Sequence, residues 1–238
     1  MKFDSGLIVG RFVRRYKRFF SDVEIEGCNA PELITAHCAN TGSMKNCLVE
    51  GSECWISRSD NPKRKLAYTL EAVSAEFGGM AGVNTSRTNK LVKEALMDGM
   101  VPEVAEYESI QSEVKFGLQN SRLDFCLSNG PDKCFVEVKN VTMGIKGGVG
   151  VFPDAVTERG RKHLYELAYA IEQGHRAVLF YCAQHTGINK VQPNWEIDPA
   201  YCQTLEEVMA KGVEVIAYGV EMTPVEFKIS NKLEFVLK

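Results

Sequence analysis

A chain of 238 residues that is 45% hydrophobic can bury one large core or two smaller ones. Its formal net charge of −3 excludes a globally basic nucleic-acid binder, so contacts of that kind must come from local patches. No apolar run reaches membrane-spanning length, and the opening Met-Lys-Phe-Asp-Ser-Gly is not a signal peptide, so a cytoplasmic protein without membrane partners is expected.

In the first 80 residues, strands are expected at 5–13, 23–27, 32–36, 54–57 and 67–73. Turns such as Asn29-Ala30-Pro31, Asn40-Thr41-Gly42 and Asp60-Asn61-Pro62 separate them. Short strands punctuated in this way point to a small β-barrel. Residues 11–20 also fit a helix by period, with Arg11, Arg14, Arg15 and Arg18 on one face and Phe12, Tyr16 and Phe19 on the other. The neighbouring strands favour a bent strand instead. In either form Arg14, Arg15, Tyr16, Lys17 and Arg18 make a basic cluster interleaved with an aromatic ring, and Lys63, Arg64 and Lys65 make a second. Such clusters are the local footprint of nucleic-acid binding; a plain charged surface is the alternative.

Gly78, Gly79 and Gly82 mark a linker, dividing the chain into residues 1–82 and 83–238. Asn84 or Thr85 then caps a helix with Leu91, Val92, Ala95 and Leu96 on its apolar side. Strands follow at 107–116, 122–127 and 134–141, with a glycine-rich stretch at 144–150. A helix at 157–173 ends at Gly174, and residues 176–183 read as a buried strand. Asp198-Pro199 opens another helix, and the last expected strand is 213–218. The order, α-β-β-β-α-β-α-β, is that of an α/β domain. The eight cysteines include no Cys-x-x-Cys pair, which disfavours zinc. Cys126, Cys134 and Cys182 read as buried thiols in a reducing compartment.

One hairpin carries the chemistry. Ser121-Arg122-Leu123-Asp124-Phe125 and Glu137-Val138-Lys139 flank the turn Asn129-Gly130-Pro131. Antiparallel pairing about the middle of that turn sets Asp124 opposite Glu137, with Lys139 on the same side two residues on. Like charges across a ladder repel, and two facing carboxylates offer the oxygen ligands that suit Mg²⁺. Phe125, Leu127, Val136 and Val138 imply a buried reverse face, which fixes the register. A solvated hairpin is the other reading.

Further blocks lie in order along the chain. They are Arg18-Phe19, Ala36-His37-Cys38, Asn40-Thr41-Gly42-Ser43-Met44, Arg64-Lys65-Leu66, Glu137-Val138-Lys139-Asn140-Val141-Thr142, residues 152–160 and Lys162-His163-Leu164. Together with Ser121-Arg122-Leu123-Asp124-Phe125 they resemble the sugar fermentation stimulation protein A (SfsA) family over nearly the whole length. The element order, with Asp on one strand and Glu-x-Lys on the next, also resembles the PD-(D/E)xK nuclease-like fold. Leu123 stands where that fold's name has proline, and Ala39 where the family usually has proline.

The resemblance implies an OB-like barrel followed by a mixed-sheet PD-(D/E)xK nuclease-like domain, DNA as partner, and a link to control of sugar utilisation. It implies Asp124, Glu137 and Lys139 as catalytic residues, and Asp124, Glu137 and the Val138 carbonyl as ligands for Mg²⁺ (or Mn²⁺). The fold often adds a carboxylate from an upstream helix, for which Glu94 is the candidate and Glu113 the second. DNA contacts are expected from the two basic clusters, from Asn40 and Thr41, and from Arg122, Arg159, Lys162 and His163, with Phe12 and Tyr16 as stacking rings. Asp154, before a helix, reads as its N-cap. Cleavage or binding alone, and monomer or homodimer, stay open at this stage.

Overall fold

A computed structural model describes residues 1–117 and 121–238. The first six strands are β1 (Ile8–Tyr16), β2 (Phe20–Ile25), β3 (Glu32–Cys38), β4 (Glu53–Arg58), β5 (Tyr68–Ser74) and β6 (Met80–Gly82). They form one sheet in the order β3-β2-β1-β4-β5-β6, and a parallel pairing of β3 with β5 closes its first five strands into a barrel. Alternation sends Phe12, Val23, Ile34, Ala36, Ile56 and Leu70 into its core. Phe12 is 2% exposed, so it packs the barrel and offers no stacking face.

Residues 11–20 are neither helix nor a single bent strand. Lys17 and Arg18 take φ of 48° and 62°, and the chain reverses so that Tyr16 pairs with Phe20. Gly78 and Gly79 turn the chain with φ of 88° and 87°, and Gly82 lies in β6. β6 leaves the barrel and lies beside residues 184–186. Gly82 N donates to Gln184 O at 2.8 Å, Thr186 N to Met80 O at 2.9 Å, and Ala81 bridges His185.

The remaining elements are α1 (Thr88–Met97), β7 (Ser109–Phe116), β8 (Ser121–Asn129), β9 (Asp132–Val141), β10 (Met143–Ile145) and β11 (Val149–Phe152). Then come α2 (Glu158–Glu172), β12 (Arg176–Ala183), β13 (Lys190–Pro193), α3 (Pro199–Ala210), β14 (Glu214–Met222) and β15 (Phe227–Phe235). Nine strands make a mixed sheet ordered β10-β11-β13-β15-β14-β12-β9-β8-β7. β9, β12 and β14 run parallel, joined through α2 and α3 as parallel neighbours require. α1 packs on one face, and its Leu91, Val92 and Ala95 share a core with Trp55, Phe125, Val138, Phe180 and Phe227. α2 and α3 cover the other face through Leu164, Leu167, Tyr201 and Leu205. The first of these cores also takes in barrel residues Trp55 and Ala72, so apolar packing runs from one sheet to the other.

β13 and β15 were not expected from sequence. Alternating burial in β13 and charged residues in β15 give neither a continuous apolar signature. The eight cysteines are all free thiols, and only Cys28 among them is exposed. No helix among the described residues is long and apolar enough to cross a membrane.

Barrel and sheet meet around a buried charge. Glu71 of β5 is 0% exposed. It accepts from Ser57 Oγ (2.7 Å), Asn84 Nδ2 (2.8 Å) and Arg87 Nη2 (2.8 Å). Asn84 in turn caps the short 3₁₀ turn before α1 by accepting from Ser86 N. The start of α1 is thereby moored to the barrel wall.

Candidate metal and nucleic-acid site

The site lies where β8 and β9 part. Their pairing runs from Asn129–Asp132 to Phe125–Val136, and β8 continues against β7 to Ser121. That register places Asp124 and Glu137 at the next facing position, as the turn chemistry predicts. Val138 N then donates to the Asp124 carboxylate at 2.7 Å. A strand residue's N–H and C=O point to the same side, so the Val138 carbonyl faces the same gap.

Helices approach this gap from both faces. From α1, Asn89 Nδ2 donates to Asp124 Oδ1 at 2.7 Å. From α2, His163 bonds through Nδ1 to Glu137 Oε1, and Lys139 Nζ lies 2.6 Å from the same oxygen. Arg159, one helical turn before His163, donates from Nε to His163 Nε2 at 3.4 Å. With Nε2 accepting, the ring proton sits on Nδ1 and points at the carboxylate.

The two carboxylates titrate in opposite directions. Burial and the neighbouring Glu137 charge raise Asp124 to about 6, against the pull of the Val138 N–H and Asn89. Burial pushes Glu137 up as well, but Lys139 and His163 outweigh it and hold Glu137 below the usual range. Glu137 is 3% exposed, and its second oxygen, Oε2, is buried without a hydrogen-bond partner. An orphaned anionic oxygen is costly. Beside a second carboxylate and an open strand edge, it fits a hard divalent cation. No group of three His, Cys, Asp or Glu side chains among the described residues forms a metal cage. A cation here would have two carboxylates, Asp124 and Glu137, and main-chain oxygen as its candidate donors.

The other expected residues disperse. Glu94 ion-pairs with the Met1 ammonium at 2.8 Å, next to Asp98 and Glu226 and away from Asp124. Glu113 faces solvent, with φ of 56°. Arg14 pairs with Asp22 at 2.8 Å and lies over the Tyr16 ring. Tyr16 itself bonds to Asp22 and stacks on Phe20. Arg15 turns inward, donating to the Asn40 (2.6 Å), Gly42 (3.1 Å) and Arg18 (3.0 Å) carbonyls. Lys17, Arg18, Lys63, Arg64, Lys65, Arg122 and Arg159 are exposed, while His163 is buried. Arg64 also donates to Thr69 at 2.8 Å, and Lys162 is half-buried.

Asp154 is not a helix cap, since Thr157 caps α2 by accepting from Gly160 N. Asp154 instead accepts from Ser43 Oγ (2.9 Å) and Met44 N (3.2 Å). It pins the Asn40-Thr41-Gly42-Ser43 loop of the barrel to the segment entering α2. Sequence reading missed Asn89 and this role of Asp154. Asn89 had one signal, a poor helix former inside an expected helix. Asp154 had none, because its partners lie more than a hundred residues away.

Two family models match the chain, one described as "SfsA N-terminal OB domain" over residues 13–83 and one as "Sugar fermentation stimulation protein RE domain" over residues 86–226. The chain is similar to a sugar fermentation stimulation protein homolog of Teredinibacter turnerae, 53% identical over 100% of both chains. A homolog of Marinomonas sp. is 51% identical over 100% of this chain and 91% of that one. Among solved structures, SfsA of Pyrococcus furiosus in complex with Ca²⁺ has a TM-score of 0.85 at 24% identity, covering 99% of this chain and 98% of that one. It shares the fold described above, an OB barrel followed by a mixed sheet. The chain belongs to the sugar fermentation stimulation protein family.

Proposed function

We propose that this protein is a divalent-metal-dependent nuclease that hydrolyses phosphodiester bonds in DNA. The observation that carries the reading is the unpartnered, buried Oε2 of Glu137 beside an Asp124 carboxyl raised to about 6. Asp124, Glu137 and the Val138 carbonyl would hold Mg²⁺ or Mn²⁺. The Ca²⁺ named with the Pyrococcus furiosus protein of the same fold supports a hard cation of this class. When bound, such a cation polarises the phosphate and lowers the pKa of a coordinated water.

The chain's own residues do the rest. Asn89 and the Val138 N–H hold Asp124 in one orientation. His163 and Lys139 fix Oε1 of Glu137, and Oε2 is the oxygen left without a partner. The Lys139 ammonium is placed to neutralise charge developing on the phosphate. Arg159, exposed beside His163, gives the backbone a fork-shaped donor. Lys17 and Arg18 at the barrel tip, with Lys63 and Lys65, extend the electrostatic track.

A second reading is a DNA-binding regulator of sugar utilisation that keeps the site without cleaving. The closed Lys139–Glu137–His163 cluster favours it, because it compensates the Glu137 charge without any metal. Purified protein incubated with single-stranded, duplex and nicked DNA, with Mg²⁺, Mn²⁺ or chelator, separates the two. The nuclease reading expects metal-dependent cleavage that is lost in Glu137→Gln and Lys139→Ala while binding persists. Binding indifferent to metal, with every substrate intact, establishes the regulator.

A further inference from the structure

Beside the site, on the α1 face of β9, lies a cleft of about 230 Å³ between barrel and sheet. It is smaller than the roughly 300–1,000 Å³ of drug-sized ligand pockets, so it admits one small ring system and no duplex. Its apolar lining is Met143, Val151 and Phe152, and its polar lining includes Asn40, Thr41, Asn140, Thr142 and Asp154. Much of this polar equipment is unused. Among the described residues, Asn140 Nδ2 and the hydroxyls of Thr41 and Thr142 take no part in any hydrogen bond. Asp154 bonds to the barrel through Oδ2, which leaves Oδ1 without a partner.

The rest of the cleft is held firmly. Asn140 Oδ1 accepts from Gln184 Nε2 at 2.7 Å, and Gln184 Nε2 also donates to Thr88 Oγ1 at 2.8 Å. Thr85 Oγ1 donates to Ala39 O at 2.7 Å, and Asn40 Oδ1 accepts from Gly42 N at 2.7 Å. A Cβ at Gly42 would stand 3.0 Å from Asn40 Oδ1 and 3.1 Å from Asp154 Oδ2, so a side chain there would crowd the loop where it meets the cleft. Apolar walls with a fixed set of donors and acceptors suit a planar heterocycle that has apolar faces and a polar edge. The cleft has no lining residue in common with the candidate centre but is built from the same segments. Asn140 follows Lys139 on β9, Thr85 lies one turn before Asn89, and Asp154 leads into α2.

Resting on the nuclease reading of the neighbouring centre, we infer that this cleft receives the base of one unpaired nucleotide next to the phosphodiester that is cut. The substrate class is then single-stranded DNA, or a duplex with an unpaired or extruded base. Base stacking of this kind contributes about 1–3 kcal/mol per base, which is about 5- to 150-fold in affinity.

The test is equilibrium binding of the full chain in chelator, so that nothing is cut. The probes are fluorescent duplexes carrying a single unpaired 2-aminopurine, an abasic residue at the same position, or full pairing. The expected result is at least fivefold tighter binding of the unpaired base than of the abasic probe, with quenching of the 2-aminopurine. Thr142→Val and Asn140→Asp, the second of which keeps the acceptor for Gln184, should erase that preference without weakening abasic binding. Equal affinity for all three probes overturns the pocket and leaves the nuclease reading standing. Failure to bind any DNA overturns both. Equal losses on base and abasic probes in both variants, with unchanged melting temperature, also overturn the pocket.

Discussion

Asp124 and Glu137 differ because their partners differ. Glu137 has the Lys139 ammonium and the His163 ring N–H on one oxygen, whereas the hydrogen-bond donors to Asp124 are both neutral, Asn89 Nδ2 and the Val138 N–H. The metal-free fold therefore favours protonated Asp124. Because its carboxyl is raised to about 6, its contribution to stability is complete below its unfolded value of about 3.9 and is lost as pH rises through 6. In chelator, Asp124→Asn should flatten this part of the melting-temperature profile, which thermal scans at pH 4 to 8 will read. A cation must displace that proton, so Mn²⁺ affinity by calorimetry should rise about tenfold per pH unit below 6 and level off above it. His163→Ala, which frees Glu137 to rotate, should cost about 10–100-fold in Mn²⁺ affinity, as loss of an orienting partner does at metal sites.

At the scale of elements, the hairpin from β1 to β2 redistributes the basic cluster. Arg14 and Arg15 serve Asp22 and the loop at 40–43, and only Lys17 and Arg18 stand clear at the turn. Lys17→Ala and Arg18→Ala should each lower the slope of log affinity against log salt by about 0.9. Arg14→Ala should leave it unchanged. Binding curves from 50 to 200 mM salt will decide.

The β8–β9 hairpin was legible because turn chemistry, apolar alternation and charge all agree on one register. The turn at 17–19 was not, because neither Lys17 nor Arg18 is a residue that favours positive φ. β6 escaped notice for a related reason: Gly78, Gly79 and Gly82 suggest a linker, yet a Cβ at Gly79 would stand 2.6 Å from Gly187 N and one at Gly82 3.0 Å from Gln184 Oε1. Gly79, Gly144 and Gly187 all pack against His185, and a Cβ at Gly144 would come 3.0 Å from its Nε2. Gly144→Ala should therefore destabilise the protein by about 1–3 kcal/mol in denaturant titrations.

On the scale of the whole molecule, barrel and sheet share backbone pairing at β6, apolar packing around Trp55 and Phe227, and the Asp154 bond to the barrel loop. Sequence showed two grammars, β-rich and then α/β, but not how closely they would be joined, since each joining contact is long-range. The Glu71 carboxylate makes that union hard to undo in stages. Prising residues 1–82 loose would strand the Glu71 anion after taking away the guanidinium of Arg87, a loss on the order of 3–5 kcal/mol. Melting should then be a single calorimetric event, and brief protease treatment should liberate no intact barrel fragment. Glu71→Gln should split or broaden that event, because an uncharged side chain gives the two halves leave to separate on their own.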